Sequence, residues 1–261
     1  MALYRAKLAE IADRMGPAPA PTEEQEQARW QRRLTDPDTW EQEAGQRYAR
    51  FVLAWNARRL AVWDRDIDAI IATHARDRKV AAWLEDTAEA FAEIGEIDLA
   101  IDWARQATFF DHGHQSVAAA RRWCELLAHH RPDEELAARL AVFDRWPTAT
   151  HADGVHRAAG AAWPEYRAHV MTSLQRQPRE AVSFALHSLG DACLAWDLAH
   201  SLGLDEPGLW ATLADRYETI DPLAVVPVHT RQVLADLEHA DAQRYRAVGV
   251  SGERCKWRFI F

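Results

Sequence analysis

Histidine is the residue type in this chain best suited to chemistry, with twelve copies among 261 residues. The tightest grouping is Asp111-His112-Gly113-His114, where two imidazoles flank a glycine and could turn toward one ion. No cysteine or second carboxylate stands at a recognised zinc spacing from them, so the expectation is an exposed loop with a helix-capping histidine. His129-His130 falls at a helix end, where a cation complements the dipole. His74 with Asp77, or His151 and His156, could serve as acid or base only with a partner in reach and a pocket around them. The three cysteines, Cys124, Cys193 and Cys255, are far apart and form no CxxC pair, and Cys124 beside Trp123 reads as a small buried hydrophobe. The chain contains no glycine-rich phosphate loop, no GxSxG and no HExxH. The reading is therefore non-enzymatic, with no catalytic residues, no metal site and no cofactor.

The remaining chemistry is cationic. Arg29, Arg32, Arg33, Arg47, Arg50, Arg58 and Arg59 cluster near the N-terminus, but Glu23, Glu24, Glu26, Glu41 and Glu43 lie close by and predict intramolecular pairs. A net charge of −9 opposes non-specific attraction to nucleic acid and anionic membrane. No apolar run approaches the ~20 residues that span a bilayer, and the first fifteen residues lack the apolar core of a signal sequence. A cytoplasmic protein is expected.

The elements that must position these groups are helices. Ala, Leu, Arg and Glu dominate, Gly is sparse, and the fold class read from composition is all-α. The most informative segment is 81–111, AAWLEDTAEAFAEIGEIDLAIDWARQATFFD. Leu84, Thr87, Ala88 and Phe91 share one helix face, Ala100, Trp103, Ala104 and Ala107 another, and Gly95 turns the chain between them. Small residues at 88, 100 and 107 let two backbones approach while Phe91 and Trp103 fill the groove. That order resembles the tetratricopeptide repeat (TPR), a hairpin that needs stacked neighbours to bury its apolar face. Further hairpins are read at about 115–146, with its turn at 130–133, then 151–176, 178–203 with Gly190 in the turn, and 207–236. The predicted architecture is an α-solenoid of TPR-like antiparallel hairpins over 65–247.

Before that array, 1–64 reads as a helical segment. A helix over 1–15 is followed by a Pro-rich linker at 16–21, a cap at Thr22, and a long helix after Asp36-Pro37-Asp38. Trp40, Tyr48, Phe51, Trp55, Leu60 and Trp63 are expected to mark its buried side. Residues 248–261 read as an irregular tail that caps the array or binds a partner.

Six phrases in order carry a family likeness: IIATHARDR (70–78), AEAFAEIGEIDLAIDWARQA (88–107), RPDEELAARLAVF (131–143), AAWPEYRAHVMTSL (161–174), GDACLAWDLAHSLG (190–203) and LWATLADRYETIDPLAVVPV (209–228). Together they resemble the TPR-like C-terminal helical-repeat region of actinobacterial SWIM zinc-finger proteins. The finger's CxC pair is absent, so what the resemblance implies is the helical fold and a role in contacts. In such arrays the first helix of each hairpin lines the concave side. That places Arg121, Arg122, Arg157 and Arg216 toward a protein or peptide partner, an acidic one suiting them best, in the groove of a scaffold or adaptor. Neither membrane nor nucleic acid is expected as a partner. The alternatives are a nucleic-acid-associated accessory protein using the N-terminal arginines, and a metal-dependent enzyme on His112 and His114.

Overall fold

The computed structural model describes residues 2–16 and 37–238, with residues 24, 25, 27 and 28 between them. Every regular element among these is helical, and no strand occurs. The Pro-rich linker beyond Gly16, the cap at Thr22, the arginines at 29, 32 and 33, the side chain of Trp40, Cys255 and the 248–261 tail lie outside the described residues. No described helix is long and apolar enough to cross a membrane.

The chain divides into two compact units, Met1–His130 and Arg131–Phe261. That boundary falls inside the stretch read from sequence as one array, at the turn predicted to join the hairpin 115–146. In the first unit α1 (Ala2–Met15) and α2 (Pro37–Asp64) are followed by the short α3 (Ile67–Ile70), which winds on as a π-helical turn over Ile71–Ala75. Asp66 starts α3 by accepting a hydrogen bond from the amide of Ala69 at 3.0 Å.

The hairpin of α4 (Ala81–Ile94) and α5 (Ile97–Thr108) forms where the residue pattern places it. Phe91, Ala88, Ala100, Ala104 and Ala107 are wholly buried, Trp103 nearly so, and the Phe91 and Trp103 rings sit 6.4 Å apart. Gly95 closes α4 at φ +82°, with the amide of Glu96 donating to Phe91 O at 2.9 Å and its own amide to Ala92 O at 3.1 Å. This paired closure needs a left-handed residue, which explains glycine here. The next helix, α6 (His114–His130), packs on both α5 and α4. Trp123 is buried edge-on against Phe109 at 5.6 Å, so the large residue is accommodated by an aromatic neighbour.

The second unit comprises α7 (Pro132–Arg145), α8 (Ala149–Ala159), α9 (Trp163–Leu174), α10 (Pro178–Ser183, continued by a π-turn over Phe184–Ser188), α11 (Ala192–Ser201), α12 (Pro207–Tyr217) and α13 (Val226–Glu238). Proline opens α7, α9, α10 and α12 in their first turns, where its missing amide is harmless. Packing follows chain order: α7 on α8, α8 on the α10 π-turn and α9, α10 on α11, α11 on α12, α12 on α13. The pairs α10 with α11 and α12 with α13 are those read from the sequence as hairpins at 178–203 and 207–236, and α7 packs on α8 as well. Phe143, Val155, Val170, Leu174, Phe184 and Leu213 form the middle of its core.

Candidate functional site

One expectation fails plainly. The aromatic row of α2 is not its buried side: Tyr48 is 69% exposed, Phe51 65%, Trp55 53% and Trp63 67%, and Leu60 is half-buried. The residues that are buried are Asn56, Ala61 and Val62. The reason lies in where α2 meets its neighbours. Among the described side chains of α2 the buried ones lie toward its C-terminal end, and no residue from 44 to 55 is buried. An apolar stripe marks a core face only where another element comes to cover it.

Helix α1 binds the same helix through side chains. Tyr4 donates its hydroxyl to Asn56 Oδ1, Arg5 forks onto Asp64 with Nη1 at 2.6 Å from Oδ2, and Arg50 reaches the carbonyl of Gly16 at 3.3 Å. The Arg5 guanidinium holds the Asp64 carboxyl below the ordinary range, and the carboxylate raises the arginine in turn. The first helix therefore docks on α2 rather than standing apart from the rest of the chain.

Two depressions flank this helix. The apolar one, about 450 Å³, is lined by Tyr4, Trp55, Asn56, Arg59, Leu60 and Trp63. The polar one, about 410 Å³, has Trp55 as a shared wall and contains Arg58, His74, Asp86 and Glu93. Arg58 pairs with Asp86 at 2.6 Å, and Arg59 grips Glu93 with both nitrogens at 2.8 Å. These arginines therefore pair across to α4, not with glutamates close in sequence. The fork lowers the Glu93 carboxyl and raises Arg59.

His74 forms the floor of the polar depression and is only 6% exposed. Its Nδ1 lies 3.1 Å from the carbonyl of Ile70 and 3.0 Å from the Thr73 hydroxyl. Burial depresses its pKa first, and Arg58 adds to the effect. The histidine belongs to the π-turn, and just beyond it Arg76 and Arg78 adopt φ of 49° and 55°. Their guanidinium groups lie over Trp83 at 4.9 Å and Trp103 at 5.0 Å. A π-turn and two left-handed arginines within eight residues concentrate local strain beside the polar depression.

The sequence-predicted site residues are placed elsewhere. Arg121 Nε is 3.8 Å from Glu125 and Arg122 Nη2 is 3.5 Å from Glu89 in the first unit. Beside them Glu85 is half-buried, and burial raises its carboxyl pKa. In the second unit Arg157 pairs with Asp153 at 2.6 Å, and Arg216 is exposed on α12. His112 and His114 are exposed, and in that loop the Asp111 Oδ1 accepts from Gly113 N and Ser116 Oγ, each at 2.8 Å. His151 bonds the Trp146 carbonyl at 2.7 Å, and His156 packs edge-on against Trp163 at 4.8 Å. Cys124 is buried, as expected.

No family model, curated protein or solved structure matches this chain. The candidate site thus rests on its geometry. Sequence reasoning found the aromatic residues of α2 and assigned them to the wrong environment. The one available signal was the row's company: Gln46, Arg47, Arg50, Arg58 and Arg59 leave few wholly apolar turns for a buried helix.

Proposed function

We propose that this chain is a non-enzymatic interaction scaffold of TPR-like hairpins, and that the aromatic face of α2 is where its partner docks. The observation that carries this reading is the row Tyr48, Phe51, Trp55 and Trp63, each more than half exposed. Large aromatics at a surface supply contact area with little side-chain entropy to lose, and they dominate binding hot spots. From 48 to 63 the row climbs fifteen residues, about 22 Å at 1.5 Å per residue. That matches a partner helix of about four turns laying down its own apolar face, with one side chain anchored in the depression between Trp55 and Trp63.

The polar groups nearby support a structural rather than catalytic use. Arg58, Arg59, Asp86 and Glu93 are engaged in ion pairs, and the His74 ring is tied to the backbone. Arg121 and Arg122 face Glu125 and Glu89, which weakens the case for an acidic peptide held by those arginines.

The test is quantitative affinity capture from the native host with the full chain and with Trp55→Ala/Trp63→Ala. Both proteins must show the same circular dichroism spectrum. Proteins recovered by the native chain and lost in the variant support the aromatic face. Equal recovery by both overturns it. Sedimentation of the two proteins distinguishes a second copy of this chain as the occupant.

A further inference from the structure

Away from the aromatic face, α12 and α13 bring three side chains of metal-ligating type to one point. Asp215 and Glu218 are three residues apart at the C-terminal end of α12 and share a helix face. His229 comes from the first turn of α13. One ligand-type atom from each of the three lies within 4.8 Å of the others, and among the described residues no other group of histidine, cysteine and carboxylates converges in this way.

The connection between the helices holds this arrangement. Glu218 N bonds Ala214 O at 2.9 Å and Asp221 N bonds Tyr217 O at 3.0 Å, so α12 closes in regular turns beneath the carboxylates. The Asp221 carboxylate accepts from the amides of Leu223 and Ala224 at 3.0 and 3.1 Å, which fixes the reversal. Val225 is wholly buried and anchors the start of α13, and its carbonyl accepts from His229 N at 3.1 Å. The imidazole is thereby delivered beside the carboxylates by backbone geometry.

We propose that Asp215, Glu218 and His229 bind a divalent cation of the zinc and manganese class. Two carboxylate oxygens and one imidazole nitrogen make a donor set of borderline hardness. Calcium and magnesium favour oxygen alone, and cuprous copper favours sulfur. Bond lengths near 2.0–2.2 Å bring ligand atoms to about 3–3.5 Å of one another, a short closure from the 4.8 Å within which the three lie here. The last carbonyls of α12 add partial negative charge at the same place. Three protein ligands leave at least one position to water, and the ion bridges two consecutive helices. Its effect is mechanical: it fastens α13, whose residues Arg231, Gln232, Leu234 and Leu237 are exposed, to α12.

The experiment uses the full chain stripped with chelator and titrated calorimetrically with Zn²⁺, then with Mn²⁺. Hydrogen exchange of the 226–238 peptides is followed with and without each ion. Native protein should bind one ion at this site and exchange more slowly across 226–238. Loss of a second-sphere group alone weakens metal sites by roughly 10–100-fold, so His229→Ala should weaken this one by about a hundredfold and abolish the protection. Glu218→Gln should weaken binding in the same direction while leaving the helical spectrum intact. Binding and protection unaltered by both substitutions would place the ion elsewhere and overturn the proposal. Absence of binding by the native chain to either ion at millimolar concentration would do the same.

Discussion

Phe51 and Phe91 offer a controlled comparison, because the same substitution in two helices of one unit should have unequal consequences. Phe91 is wholly buried between α4 and α5, with Trp103 as its ring neighbour at 6.4 Å. Phe91→Ala removes its transfer energy and leaves a cavity, at a cost of about 3–5 kcal/mol. Phe51 is 65% exposed. About a third of its ~200 Å² is covered, and at ~25 cal/mol per Å² that is at most about 1.7 kcal/mol. The true figure is lower, since the unfolded chain also covers part of that area and alanine keeps some of it. We expect Phe51→Ala to cost about 1 kcal/mol or less. With a urea slope of about 2 kcal/mol per M, the midpoints should fall by about 1.5–2.5 M for Phe91→Ala and by about 0.5 M or less for Phe51→Ala. Urea titrations followed by far-ultraviolet circular dichroism report the global transition. Hydrogen exchange in 81–108 reports the hairpin by itself, which matters because two units need not unfold together. Equal losses in the two variants would mean that the aromatic face is covered within the folded chain, and the docking surface would fall with it. A negligible loss for Phe91→Ala would refute the α4–α5 interface.

Two further outcomes follow from the same unit. His74 has a native pKa held below its unfolded value near 6.5 by burial and by Arg58, against the weaker pull of the Ile70 carbonyl and Asp86. It is neutral in both states above that value, so its contribution is complete there. As pH falls below about 6.5 the unfolded chain takes up a proton that the native ring refuses, and stability declines by up to about 1.4 kcal/mol per pH unit until the native ring protonates. Urea midpoints between pH 7.5 and 5 should show this slope, and His74→Gln should remove it; an unchanged slope would assign it to other groups. Gly95→Ala should cost about 1–2 kcal/mol through its positive φ alone, because a Cβ there meets nothing closer than Arg65 Nη2 at 4.0 Å. A midpoint unchanged by that substitution would remove the left-handed closure of α4.

The α4–α5 hairpin was legible in the sequence because everything that defines it is local. Small residues at 88, 100 and 107, large ones at 91 and 103, and a glycine between them specify two helices and the turn that lets them meet. The helical class belongs to the same category, since helix propensity acts residue by residue. Which helix faces which was not local. The row from Tyr48 to Trp63 has the spacing of a core stripe, but its environment depends on whether another element arrives to cover it, and among the described side chains of α2 those that are buried are Asn56, Ala61 and Val62. The division after His130 rests on the sum of many weak contacts that no single motif announces. Asp215, Glu218 and His229 show the same limit at a site: the pair at 215 and 218 is visible as helix spacing, while the imidazole eleven residues on joins it only because Asp221 and the buried Val225 set the angle at which α13 returns.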